Sequence, residues 1–174
     1  MTVMRILEIP DPGLRAVADP VPVIDAEITT LIADMFETMY DARGIGLAAT
    51  QVGVTKRVVV IDLQEGEDED GKPLRQPRVF VNPEISWFSD EVARYNEGCL
   101  SIPEQYAEVD RPERCRVAWL DAEGTRHEEE LDGLLSTCIQ HEVDHLNGVL
   151  FIDHISRLKR EMIVKKLNKA RKAA

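Results

Sequence analysis

The run His141-Glu142-Val143-Asp144-His145 reads as one turn of helix carrying two imidazoles and a carboxylate. Residues four apart on a helix share a face, so His141 and His145 can direct both rings at one ion. Glu142 then stands beside that ion rather than on it. There it can take a proton from a water acidified by a metal and carry it to a leaving group, which points to hydrolysis. The helix extends on either side of the run. Asp132 is a suitable N-cap, Leu135, Ile139, Glu142 and Leu146 follow one stripe, Leu134, Cys138, His141 and His145 the next, and Asn147-Gly148 supplies a stop. Histidines among apolar neighbours are costly to bury without partners, and a metal is one such partner.

Upstream, Asp25 can cap a helix whose positions Ile28, Leu31, Ile32, Met35 and Met39 keep the helical period and which ends near Arg43-Gly44. Strand-like runs follow at 57–63, 79–88 (interrupted by Pro83), 91–96, 115–120 and 126–131. Between the first two, residues 64–77 are rich in Glu, Asp, Gly and Pro and read as an exposed, mobile loop. Helices flank a cluster of strands without regular alternation. The expected class is therefore α+β, with mostly antiparallel strands around a central metal-binding HExxH helix and a C-terminal helix.

At 174 residues the chain is expected to form one domain, 1–174, with no linker or repeat dividing it. Met1 to Arg15 lacks the apolar run of a signal peptide, and no stretch approaches the roughly 20 apolar residues of a membrane span. A cytoplasmic location is expected, with neither membrane nor DNA as a partner. Cys99, Cys115 and Cys138 are an odd set in such a chain, so free or metal-bound thiols are favoured over disulfides. The net charge of −11 is unevenly spread: residues 156–174 hold eight Lys and Arg against Glu161 alone, +7, which leaves −18 on residues 1–155. A basic tail on an acidic body is a sign of nucleic-acid or membrane contact by the tail; the alternative is a solvated terminal helix. Ile155, Leu158, Met162, Ile163, Leu167 and Ala170 recur at helical steps, giving that tail one expected apolar side over 156–172.

Two further segments carry chemistry. In Glu97-Gly98-Cys99-Leu100-Ser101, Cys99 is read as lying beyond a strand, behind a glycine that allows close backbone approach. Its thiolate would complete a Cys-His-His site with a position open for water; the alternative is a small buried hydrophobe. In Gly44-Ile45-Gly46-Leu47-Ala48-Ala49-Thr50-Gln51, the Gly-x-Gly follows a helix rather than a strand, and Ala49 stands where a third glycine belongs, so a dinucleotide fingerprint is rejected. Gln51 offers an amide N–H to an oxyanion, or is an ordinary surface residue.

Together the three segments resemble the motifs GxGLAAxQ, EGCLS and QHExDHLxG of peptide deformylase, in the same order and complete at Gly44 to Gln51, Glu97 to Ser101 and Gln140 to Gly148. The resemblance implies a metal held by Cys99, His141 and His145, with Glu142 as acid/base and Gln51 and the Leu100 backbone N–H stabilising the oxyanion. It implies hydrolysis of the formyl group from formyl-methionyl nascent peptides, with Fe2+ as the metal. Thiolate and imidazole would also suit Zn2+, Ni2+ or Co2+. It further implies a methionine pocket built from Ile45, Leu134, Thr137, Cys138 and His141, and a peptide held by backbone groups near Ile45 and Gly46. Glu97 and Asp144 are implied to orient the ligands. The basic helix 156–172 would dock on the ribosome. One departure is Tyr106, where many bacterial members carry an arginine close to the peptide's path.

Two rivals share parts of this pattern. A zinc peptidase of the extended HExxHxxGxxH type would need a histidine at Phe151, and a glutamate-ligated peptidase has only Glu161 downstream. A non-catalytic, metal-stabilised RNA-binding module would need a fourth protein ligand, for which His127 and His154 are available, and would have no use for Glu142.

Overall fold

The structure, a computed structural model, describes residues 1–173. Three helices, α1 (Ala26–Asp41), α2 (Gly133–Leu146) and α3 (Arg157–Ala173), accompany seven strands. These are β1 (Gly46–Ala48), β2 (Val58–Ile61), β3 (Arg78–Phe88), β4 (Val92–Cys99), β5 (Ile102–Pro112), β6 (Cys115–Leu120) and β7 (Arg126–Leu131). Five strands form one sheet in the order β1-β2-β3-β6-β7, and β4 and β5 pair separately; every ladder is antiparallel.

The sheet is covered on both faces, which is why β2 reads Val-Val-Val-Ile and all four residues are buried. Side chains alternate across a strand. Val58 and Val60 pack with Ile28, Met35 and Met39 of α1, whereas Val59 and Ile61 pack with Ile139 and Leu146 of α2. α1 starts where Asp25 accepts the Ile28 N–H at 3.1 Å. α2 starts at Asp132, but the Asp132 side chain makes no cap bond there; its carbonyl accepts the Ser136 N–H at 3.1 Å. The stop at Gly148 is steric as well as conformational: φ is +75°, and a Cβ there would lie 2.6 Å from the Arg15 carbonyl oxygen. A third apolar cluster joins Ile102 and Val109 of β5, Leu150 and Phe151 of the 3-10 turn Phe151–His154 and its entry, and Ile163 and Leu167 of α3.

Several expectations need correction. Cys99 is the last residue of β4 rather than beyond a strand, and a register shift separates it from Gly98. β5 and the short β1 were not anticipated. The tail helix forms, but its apolar side is split: Ile163 and Leu167 are buried, while Leu158 and Met162 are 69% and 50% exposed. The segment 64–77 is exposed almost throughout, yet it is tied down by Arg75, stacked 4.0 Å from the Tyr40 ring centre, and by the Gln76 N–H on Asp62. Among the described residues no helix is long and apolar enough to cross a membrane.

Candidate metal centre and active site

α2 lies with one face buried against the sheet, and this presents His141 and His145 together toward the end of β4. His145 Nε2 is 3.2 Å from His141 Nε2 and 3.3 Å from Cys99 Sγ. The three donor atoms lie within 4.8 Å of one another, and among the described residues no other His, Cys, Asp or Glu joins them.

The protonation of these groups is set by what stands behind them. Burial would raise the Glu97 carboxyl, but hydrogen bonds from His141 and Arg111 outweigh it and hold Glu97 below its usual range. Being ionised, Glu97 accepts from His141 Nδ1 at 2.9 Å, which turns His141 Nε2 toward Cys99 and His145. Burial also disfavours charge on His141, yet hydrogen bonds to Cys99 and Glu97 prevail and push the imidazole up to about 10. A proton and a cation compete for that same lone pair. Burial, with the charge on His141 added, holds His145 well below its ordinary value, so it is a neutral ligand. Its Nδ1 is buried without a protein partner. One thiol and two imidazoles facing a common point, with no fourth protein donor, fit a tetrahedral N/S metal site with one open position.

Glu142 is beside the donors and not among them: its Oε1 is 4.0 Å from His141 Nε2, and its buried Oε2 has no protein partner. Burial pushes this carboxyl up to about 7, so it can both accept and return a proton near neutrality. Gln51 is fixed at both ends of its amide. The oxygen accepts the Ala48 N–H at 3.0 Å, and Nε2 therefore points to Ser101 Oγ at 3.1 Å and Cys99 Sγ at 3.4 Å. Leu47 to Gln51 are almost completely buried, so Gln51 is no surface residue.

These groups open on a cleft of about 470 Å³. Ile45, Gly46, Leu100, Leu134, Thr137 and Cys138 all line it. Burial, with the nearby Glu142 and Glu97 charges, pushes the Cys138 thiol up to about 12, so it serves there as an apolar wall. Cys115 lies buried elsewhere, with Ser136 Oγ 3.4 Å from its sulfur. Because Ile45 gives its carbonyl to the Asp62 N–H at 2.8 Å, the alternation of an antiparallel ladder turns the Gly46 backbone groups to the open edge of β1. The exposed Tyr106 ring packs against Gly98 at the cleft wall, where a Cβ on Gly98 would lie 2.5 Å from it.

Asp144 does not reach a histidine ligand. Its Oδ2 accepts from Arg111 Nη1 at 2.9 Å, and Arg111 grips Glu97 through Nε and Nη2 at 2.7 and 3.0 Å. Arg111, a charged residue only 5% exposed, is the functional group that the sequence reading missed. Its signal was available only if β5 had been recognised, since Arg111 is an inward position on that strand.

The rival ligand sets are dispersed. Phe151, in the third-histidine position, is buried with its ring 6.2 Å from that of His141. Glu161 is on exposed α3, paired with Arg157 at 2.9 Å. His127 and His154 are bound to Asp121 and Asp144, each at 2.7 Å.

The sequence model of the polypeptide deformylase family matches residues 3–161. The chain is similar to the peptide deformylase of Rhizorhabdus wittichii, 66% identical over 173 residues that cover 99% of this chain and 98% of the relative. It is 58% identical to the peptide deformylase of Zymomonas mobilis over 172 residues, covering 99% and 97%. Among solved structures, a peptide deformylase from Legionella pneumophila superposes with a TM-score of 0.88 at 45% identity, covering 99% of this chain and 97% of that one. One from Ehrlichia chaffeensis, in complex with actinonin, does so with a TM-score of 0.87 at 39% identity, covering 98% of each. The chain belongs to the peptide deformylase family, metal-dependent hydrolases that remove the formyl group from the N-terminal formyl-methionine of newly made proteins.

Proposed function

We propose that residues 1–174 act as one catalytic domain in which Cys99, His141 and His145 hold Fe2+ and Glu142 moves the protons of formyl-amide hydrolysis. The observation that carries this reading is the convergence of three donors beside a buried Glu142 whose Oε2 has no protein partner, in the wall of one cleft. When bound, the divalent ion supplies Lewis acidity, which makes water nucleophilic and draws charge from the formyl oxygen. Glu142 takes the proton of the attacking water and delivers it to the departing amine nitrogen as the C–N bond breaks, giving formate and a free N-terminus. Gln51 Nε2 and the Leu100 N–H donate to the formyl oxygen as charge builds on it. Ile45, Leu134, Thr137 and Cys138 seat the methionine side chain, and the Gly46 backbone holds the peptide as an added strand. Glu97 orients His141 directly, and Asp144 acts through Arg111.

The formyl-methionyl peptide is met in the cytoplasm as it leaves the ribosome, and α3 docks on that surface through its basic residues. Formate release from formyl-Met-Ala, with metal counted in protein prepared without oxygen, tests the catalytic part. One ion per chain and turnover that falls on exposure of the ferrous protein to air are expected; turnover that persists after complete removal of metal by a chelator would overturn it.

A further inference from the structure

A continuous hydrogen-bonded line runs from solvent to His141. His154 Nε2 is 2.7 Å from Asp144 Oδ2. A carboxylate only accepts, so Nε2 carries the hydrogen. The same Oδ2 accepts from Arg111 Nη1, Arg111 holds Glu97 by two bonds, and Glu97 Oε1 accepts from His141 Nδ1. The outer end opens on a second cavity of about 730 Å³, between β3, β5 and α2, to which Arg111, Asp144 and His154 all contribute.

The two ends of this line differ in freedom. Arg111 and Glu97 are 5% and 7% exposed and cannot relax toward water. The Asp144 side chain is 25% exposed, and it alone fixes the third edge of the guanidinium. A carboxylate so placed can rotate into solvent unless a second donor holds the same oxygen. That donor is His154, at the end of the turn Phe151–His154, whose Phe151 and Ile152 are anchored in the core.

We propose that His154 is a positioning residue for His141. Its bond to Asp144 locks the Arg111 plane, which locks the Glu97 carboxylate and so the direction of His141 Nε2. This rests on the metal site proposed above.

The test uses the full chain loaded with Co2+, whose bond to a cysteine thiolate gives an absorption band. The rate at which that band decays in excess chelator is measured together with kcat and KM on formyl-Met-Ala. Loss of a group that directly holds a metal ligand typically costs about 10- to 100-fold in affinity or activity. For His154→Ala, further along the line, metal release about 3- to 10-fold faster is expected, with kcat lowered and KM within about twofold because Ile45, Leu134, Thr137 and Cys138 of the methionine pocket are untouched. His154→Gln, which keeps an N–H donor, should restore most of the difference. His127→Ala removes a histidine of similar exposure, 39% against 37%, bound to Asp121, and should leave the band decay unchanged. Metal release at the parental rate in His154→Ala overturns the proposal. So does failure of Gln to restore it while both variants lose thermal stability equally, which would make His154 merely structural. If the parent shows no thiolate–cobalt band, the metal site itself is wrong; if it shows the band and hydrolysis and His154→Ala is silent, only the positioning role falls.

Discussion

Glu142 and Gly46 are in close contact in the cleft: a Cβ on Gly46 would lie 2.8 Å from Glu142 Oε1 and 3.2 Å from Cδ. Gly46→Ala must displace that carboxylate while leaving all three metal donors in place. It is expected to lower kcat by roughly 10²-fold with one ion still bound, close to the lower limit for losing a positioned acid/base. Glu142→Ala, which removes the group, should cost on the order of 10²- to 10⁴-fold, again with metal retained. Metal content and kcat of both proteins decide this, and near-parental turnover by Glu142→Ala would remove Glu142 from the mechanism. Cys99→Ser should weaken or change metal binding, since a hydroxyl is a poor replacement for a thiolate. Cys115→Ser, far from the donors, should do neither; equal metal loss in both, or in neither, would remove Cys99 as a ligand. His141, Glu142 and His145 stood out in the chain because they share one helical turn whose spacing carries chemistry, whereas Cys99 was singled out through the resemblance of Glu97 to Ser101 to a family motif. Arg111 was not, because its partners Glu97 and Asp144 are 14 and 33 residues away, and Asp110-Arg111-Pro112 alone reads as a solvated turn.

Among the elements, α1, α2, α3, β2, β3, β4, β6 and β7 were expected from helical periods or strand-like runs, whereas the three-residue β1 is too short to show either. β5 escaped because its covered face, Pro103, Gln105, Ala107, Val109 and Arg111, holds only one large aliphatic residue, so no hydrophobic alternation marks it in the sequence. β3 survives Pro83 through a register shift between Val81 and Glu84. There Asn82 takes φ +51°, and its side chain bonds the Val21 N–H and carbonyl at 2.7 and 2.9 Å. The turn after α2 depends on charge instead. Asp153 accepts from Arg15 at 2.6 and 3.1 Å and from the Leu150 N–H at 3.0 Å. Burial would raise its carboxyl, but these bonds hold it below its ordinary 3.8. A depressed folded value contributes stability that is present above about 3.8 and is lost as pH falls through the folded value. Asp153→Asn should therefore cost on the order of 1 kcal/mol at pH 7 and flatten the decline of stability between pH 5 and 3. Thermal unfolding across that range checks it: parallel curves for parent and variant would show that Asp153 is not the group being titrated.

Over the whole molecule, charge and packing divide α3 between two duties. Ile163 and Leu167 are 7% and 4% exposed in the third apolar cluster, and fully burying each such side chain is worth about 1.5–3 kcal/mol. A truncation at Lys165 would remove Leu167 and confound stability with binding. Substitution of the exposed Lys165, Lys166, Lys169 and Lys172 by serine separates them, since none lines the catalytic cleft. The remaining chain carries −18, which a polyanionic RNA surface repels, so attraction to the ribosome must come from the +7 tail. Lys and Arg contacts to phosphate release counterions, and affinity falls steeply with salt in proportion to the number of contacts. The quadruple variant should therefore hydrolyse formyl-Met-Ala within about twofold of the parent while co-sedimenting with ribosomes more weakly, with a shallower salt dependence. Binding unchanged by the four substitutions, or insensitive to salt in the parent, would leave α3 as a solvated helix whose two buried residues only close the core.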